Sequence, residues 1–135
     1  MPIEISRLPN EPIILMTFSG GFESDALTNA FRRSVELLDE IGAMAYRISD
    51  VRGVESDPRG LGELFKALRE VRKDKAGSSA DPRFHAVLVG GNTLASIYAN
   101  VMRQNEFGNV QLPVFQTVDE ALDYIHFDID KTKSS

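Results

Sequence analysis

Residues 43–68 read AMAYRISDVRGVESDPRGLGELFKAL, and this order of residues predicts a strand, a charged loop and a helix. Apolar residues including Tyr46 and Ile48 lead up to Val51, and Gly60-Leu61-Gly62 opens an amphipathic helical pattern. Many α/β domains place their functional groups in a loop between the carboxyl end of a strand and the amino end of a helix. The loop within this stretch is therefore the first candidate for a functional site.

The same alternation of strand and helix continues along the chain. Residues 13–18 (IILMTF) form a nearly continuous apolar run, which is typical of a strand covered on both faces. We predict strands at 3–5, 13–18, 43–48, 84–89 and 112–115, and helices at 23–40, after Pro58, after Thr93 and at 118–125. Right-handed crossovers then give an α/β fold with a mainly parallel sheet of about five strands and about four helices, the first strand antiparallel at an edge.

Three short signals mark the ends of predicted helices. Gly42 stands where a left-handed residue ends the first helix. Asp57 precedes Pro58, which favours Asp57 as the cap of the second helix. Thr117 and Glu120 have the spacing of a capping box at the start of the last helix.

Length and composition indicate one ordinary globular domain. The 135 residues contain 42% apolar and 26% charged side chains, and we assign residues 1–127 to the domain and 128–135 to a flexible tail. Fifteen basic and twenty acidic residues leave a net charge of −5, which argues against general binding to nucleic acid. The absence of signal-peptide and membrane-span patterns favours a cytoplasmic protein.

Several chemistries have no support in the sequence. With no cysteine, the chain has no disulfide, thiolate zinc site or thiol nucleophile. His85 and His126 are 126 − 85 = 41 positions apart, without a metal-binding pattern, so His85 is interpreted as an ordinary strand histidine. No serine stands in a G-x-S-x-G pattern. We therefore predict no catalytic residue, no metal and no cofactor.

The charged loop supplies the main candidate site. Its candidate residues are Asp50, Arg52, Glu55, Ser56, Asp57, Arg59, Gly60 and Gly62. Opposite charges here either fix the loop through ion pairs or bind a polar partner, and a pair of carboxylates could also perform acid–base chemistry. Sequence spacing leaves these alternatives open.

Two glycine turns supply secondary candidates. Ser19-Gly20-Gly21 follows the second strand, and Gly90-Gly91-Asn92-Thr93 follows the fourth. Either turn could bring backbone N–H groups toward an anion, although neither has the spacing of a phosphate-binding loop. The structural alternatives are a tight turn at Gly20 and helix capping by Asn92 or Thr93.

The stretch 43–68 resembles the STAS domains, the SpoIIAA-like fold of anti-sigma factor antagonists. Residues 57–62 (DPRGLG) correspond to the Asp-Ser-Ser-Gly-Leu-Gly helix start of that family, and residues 112–125 (LPVFQTVDEALDYI) are similar to its last strand and helix. The resemblance extends over about residues 3–125. It implies a regulatory domain that binds another protein.

One departure from the family concerns the phosphorylated serine of its switching members. Pro58 and Arg59 occupy the two serine positions, so the resemblance does not carry the phosphorylation cycle to this chain. Ser56 is a nearby hydroxyl, displaced from the motif. The chain is more similar to stand-alone SpoIIAA-like proteins, which are related in fold to lipid-binding CRAL-TRIO domains.

Two functional hypotheses follow. The first is a non-catalytic regulatory domain with a protein partner, in which Arg52, Asp57 and Arg59 give charge complementarity. The alternative is a domain that binds a small apolar or anionic ligand, such as a lipid, beside apolar helix residues such as Phe31 and Phe65. An enzyme ranks third, and a homodimer is a further expectation because small domains commonly form two-fold pairs.

Overall fold

A five-stranded sheet forms the centre of the computed structural model, which describes residues 2–55, 57–74, 77, 81–91 and 93–134. The strands are β1 (Ile3–Arg7), β2 (Ile13–Gly20), β3 (Ala45–Val54), β4 (Phe84–Val89) and β5 (Val114–Phe115). The α-helices are α1 (Ser24–Ile41), α2 (Pro58–Asp74), α3 (Thr93–Met102) and α4 (Val118–Ser134), with a 3-10 turn at Asn105–Phe107. None of the helices in these ranges is both long enough and apolar enough to cross a membrane.

The strands lie in the sheet in chain order, β1-β2-β3-β4-β5. β1 pairs with β2 in antiparallel orientation, with Ile3 opposite Phe18, and all the other pairs are parallel. The predicted α/β architecture, including the antiparallel strand at one edge, is confirmed. The parallel pairing of β2 and β3 brings their carboxyl ends together at the same end of the sheet.

Alternation along the strands builds one core on each face of the sheet. On β3, Ala45 belongs to a larger core with α1, α2 and α3, whereas Tyr46 and Ile48 belong to a smaller core under α4. Ile125 of α4 is fully buried in the smaller core. Burial of a side chain of this size contributes about 2 kcal/mol, so these apolar stripes hold the helices on the sheet.

The predicted end of α1 and the predicted Thr117 cap of α4 are both found as hydrogen bonds. Gly42 has a φ of 92°, and its N–H donates to the carbonyl oxygen of Leu38. The backbone N–H of Glu120 donates to Thr117 Oγ1 over 3.2 Å, and the Thr117 hydroxyl contacts the Glu120 carboxylate. These local predictions are confirmed because each depends on a hydrogen bond within one turn of chain.

Two elements are longer than predicted. β3 continues to Val54 because its last residues pair with the end of β2, where Ser19 lies opposite Gly53 and Gly20 opposite Val54. The charged loop is correspondingly short. α4 continues to Ser134, so residues 128–134, predicted as tail, are helical, and Ile129 packs against the smaller core.

One charged side chain, Arg47, lies inside the larger core. Its guanidinium carbon lies 5.0 Å from the ring centre of Phe31 and 4.4 Å from that of Phe84, while Nη1 donates to Ser34 Oγ and to the carbonyl oxygen of Gly77. Nε and Nη2 are buried without a hydrogen-bond partner among the described residues. Loss of hydration disfavours the charged form and lowers the pKa of Arg47 to about 10.

Candidate functional site

A cavity of about 330 Å³ lies at the carboxyl ends of β2 and β3, beside the amino ends of α1 and α2. We call it the strand-end cavity. It is lined by Pro2, Gly20, Gly21, Phe22, Glu23, Asp57, Arg59, Gly60 and Glu63. Two regions predicted separately from the sequence, the first glycine turn and the start of the second helix, therefore share one site.

Asp57 lines this site and caps α2. Its Oδ1 accepts a hydrogen bond from the backbone N–H of Gly60 over 2.6 Å, and Pro58 begins the helix, where a missing N–H has no cost. The structural role predicted for Asp57 is thus confirmed. Because the carboxylate is engaged in capping, its chemistry in the cavity is that of a fixed negative charge.

Glycine at position 60 allows the first turn of α2 to approach the turn that follows β2. A Cβ on Gly60 would lie 3.1 Å from Asp57 Oδ1 and 3.7 Å from the backbone nitrogen of Phe22. On the other side of the cavity, Gly20 has a φ of 77°, in the left-handed region that glycine adopts at little cost. The N–H of Glu55 donates to the carbonyl oxygen of Gly20 over 2.8 Å, so the end of β2 is joined to the residue that follows β3.

The side chains around the strand-end cavity are mainly acidic. Glu23, Asp57 and Glu63 are carboxylates, and Arg59 is the basic residue of the lining. Arg59 is exposed, so it is available to a partner that approaches this end of the sheet. The arrangement suits recognition of mixed charge on another molecule, because exposed opposite charges set specificity and rate of encounter.

The sequence predicted Asp50 and Arg52 in the charged loop. In the structure both residues lie on β3 and outside the strand-end cavity. Asp50 is buried, and its carboxylate accepts hydrogen bonds from Arg52 Nε and Nη2 over 3.0 and 2.8 Å, and from the Arg52 backbone N–H over 3.1 Å. The hydrogen bond to Asp50 raises the pKa of Arg52. The pair therefore neutralises a buried carboxylate at the end of the strand.

The same arrangement occurs just before β4. Asp81 accepts hydrogen bonds from the backbone N–H, Nε and Nη2 of Arg83, and its Oδ2 also accepts one from the backbone N–H of Gly77. Burial of Asp81 opposes its ionisation, but these hydrogen bonds outweigh burial and hold its pKa below the ordinary value. The Asp50–Arg52 and Asp81–Arg83 pairs are thus structural ion pairs.

The remaining predicted residues contribute less to the cavity. Glu55 takes part through its backbone, Gly62 has open space beside it, and Ser19 contacts Gly53. The second glycine turn lies elsewhere, since Gly90 donates to the carbonyl oxygen of Phe115, α3 begins at Thr93, and Gly91 lies near Gln116. Ser56 and Asn92 lie outside the described residues.

Four lining residues were not predicted: Pro2, Phe22, Glu23 and Glu63. No local motif identifies them, although the alignment of β2 and β3 would have placed Phe22 and Glu23 beside the start of α2. Among the residues that the structure describes, no cluster of three or more histidine or acidic side chains is suited to a metal ion.

Comparison with solved structures identifies the fold. A DUF3478-family protein with a SpoIIAA-like fold from Shewanella loihica has a TM-score of 0.57 at 14% identity, with 91% of each chain covered. An anti-sigma factor antagonist from Mycobacterium paratuberculosis gives 0.53 at 18% identity, with 93% of each chain covered. The Bacillus cell fate determinant SpoIIAA, in its phosphorylated form, gives 0.52 at 14% identity, covering 92% of this chain and 99% of that chain.

These similarities establish that the chain has the SpoIIAA-like fold, which confirms the resemblance found in residues 57–62 and 112–125. No protein-family model matches the sequence, and no curated protein matches it. The structural evidence for the fold therefore comes from the arrangement of strands and helices, at identities of 14–18%.

Proposed function

We propose that this protein is a non-catalytic, cytoplasmic regulatory domain that binds another protein through the strand-end cavity and Arg59. One observation carries the proposal: two loops that are distant in the chain meet at the start of α2, in a fold shared with anti-sigma factor antagonists. An interaction surface of this kind needs shape and charge, and both are provided by Arg59 and the acidic lining.

The residues at the α2 start argue against regulation by phosphorylation of a motif serine. Pro58 and Arg59 stand where the family's motif has serine residues, and neither side chain has a hydroxyl group. Arg59 instead places a permanent positive charge beside the helix cap. A partner that complements this surface would present an acidic group to Arg59 and a basic group to Glu63 or Glu23.

Charge reversal at Arg59 tests the proposal. We expect Arg59→Glu to abolish capture of at least one specific partner by the tagged protein in extracts of its native host, since a repulsive charge at the interface weakens encounter and specificity. Arg72→Glu is the matched control, because Arg72 is an exposed arginine on α2 outside the cavity lining. Equal partner sets for the parent, Arg59→Glu and Arg72→Glu would contradict the assignment of this surface.

A small-molecule ligand is the second candidate function. The volume of about 330 Å³ falls at the lower end of the range for ligand pockets. Its three carboxylates favour a small polar cation over an acyl chain or an anion. A ligand bound to the folded state would raise the melting temperature, so an unchanged melting temperature across panels of amines, acyl compounds and nucleotides would remove this alternative.

A further inference from the structure

The outer edge of β1 carries a regular row of backbone groups that face away from β2. Ser19 donates to the carbonyl oxygen of Pro2, and Leu8 donates to the carbonyl oxygen of Ile13, so the residues of β1 that bond to β2 are the even-numbered ones. The backbone N–H and C=O groups of Ile3, Ile5 and Arg7 therefore point outward. Within the described part of the chain, β1 pairs with a strand on its β2 side only.

We propose that this edge binds a second copy of the same chain, with β1 antiparallel to β1 of the partner and the two-fold axis at Ile5. In this register Ile5 lies opposite its own copy and Ile3 lies opposite the partner's Arg7. All three outward residues then form hydrogen-bonded pairs, which give six interchain hydrogen bonds by the antiparallel pattern. Two sheets of five strands become one continuous sheet of ten.

Charge disfavours one of the two neighbouring registers. A two-fold axis perpendicular to the sheet keeps odd residues opposite odd residues, so the register can shift only by moving the axis to Glu4 or Ser6. With the axis at Glu4, the Glu4 carboxylates of the two copies lie directly opposite each other and repel. With the axis at Ile5, Glu4 lies opposite the partner's Ser6, and the like charges are separated.

The surfaces on both sides of β1 leave room for a second strand. On one face α4 packs over β3, β4 and β5, and Glu4 and Ser6 are exposed. On the other face Ile3 and Ile5 line a groove of about 430 Å³ against α1, with Ala26 and Ala30 on the helix side. The partner's Ile5 would enter beside this groove and cover half-buried apolar surface that is otherwise open to water.

Exchange of charges at positions 4 and 6 tests both the interface and its register by sedimentation equilibrium over about 1 µM to 1 mM protein. Because Glu4 and the partner's Ser6 form a pair without backbone hydrogen bonds, their side chains are close, and the pair occurs twice per dimer. We expect Ser6→Lys to tighten the dimer about fivefold and Ser6→Glu to weaken it about fivefold. The double variant Glu4→Lys/Ser6→Glu restores opposite charges and should return at least the parental affinity.

Each alternative outcome overturns the proposal. A monomer throughout the concentration range excludes the dimer. A dimer whose affinity is unchanged by Ser6→Glu forms through another surface. Weakening by Ser6→Lys would show that Ser6 lies opposite its own copy. Hydrogen exchange gives an independent readout, because the amides of Ile3, Ile5 and Arg7 should gain protection with concentration while those of Glu4 and Ser6 are protected throughout.

Discussion

The hydroxyl of Tyr46 on β3 donates a hydrogen bond to the carboxylate of Asp128 on α4, 82 positions further along the chain. Tyr46 is buried in the smaller core, and its ring lies against that of His85 at 4.9 Å between centres. Burial, and then the hydrogen bond to Asp128, raise the pKa of Tyr46 above its ordinary value. The second half of α4 is thus tied to the middle of the sheet.

Removal of this hydroxyl should destabilise the fold. We expect Tyr46→Phe to lower the free energy of unfolding by about 1.5 kcal/mol at neutral pH, because a hydrogen bond to a carboxylate is lost. A raised pKa means that the contribution is complete below the ordinary tyrosine value of 10.0 and declines as pH rises toward the folded-state value. Urea unfolding of the parent, Tyr46→Phe, Asp128→Asn and the double variant measures the coupling, and additive effects would contradict a direct bond.

We expect protonation of Asp81 to account for part of the loss of folding stability in acid. Its lowered pKa means that its contribution is present above the ordinary value of 3.8 and is lost as pH falls through the lower folded-state pKa. We expect Asp81→Asn to cost about 2 kcal/mol at pH 7, since an amide N–H₂ would face the donors of Arg83 and Gly77. The same change at exposed Asp123 is the control, and equal losses in both variants, measured by urea unfolding from pH 3 to 7, would contradict this role.

Two substitutions of Arg47 separate the contribution of side-chain packing to stability from that of the guanidinium charge. Arg47→Met keeps an apolar chain between Phe31 and Phe84 and removes a guanidinium whose desolvation is costly, so we expect a stability within about 1 kcal/mol of the parent. Arg47→Ala leaves a cavity and should cost about 3 kcal/mol. Chemical denaturation measures the free energy of unfolding of both variants. An equally large loss of stability in both would show that the hydrogen bonds from Nη1 provide the stabilisation.

The cap of α2 can be tested without disturbing the rest of the cavity. Asp57→Ala removes the acceptor of the Gly60 N–H and should lower the free energy of unfolding by about 1 kcal/mol. Asp57→Ser supplies another acceptor at the same position and should recover most of that loss. Thermal unfolding of the three proteins provides the measurement, and equal melting temperatures for Ala and Ser would contradict capping by the side chain.

Much of the fold could be predicted because its signals are local. The apolar run from Ile13, the left-handed glycine at Gly42 and the capping box at Thr117 each depend on a few adjacent residues, and all three are found. The length of β3 could not be predicted in this way. Charged residues such as Asp50 and Arg52 are typical of a loop, but their pairing to each other and the neighbouring strands β2 and β4 keep this segment in the sheet.

The sequence predicted two parts of the candidate site separately. The sequence indicated both the Gly20 turn and the Asp57–Gly60 helix start, but their contact depends on the register of β2 against β3, which periodicity does not determine. Arg47 was missed for a similar reason. A single arginine in an apolar strand gives no sign that two aromatic rings and a glycine carbonyl will enclose it.

The order of the strands has a consequence for folding during synthesis on the ribosome. Each strand pairs with the one made immediately before it, so every hydrogen-bonded ladder becomes available as soon as the next strand has left the ribosome. The short sequence separation of neighbouring strands also lowers the entropic cost of closing each intervening segment. The sheet can therefore grow in the direction of translation, with α4 closing the second face as the last part of the chain emerges.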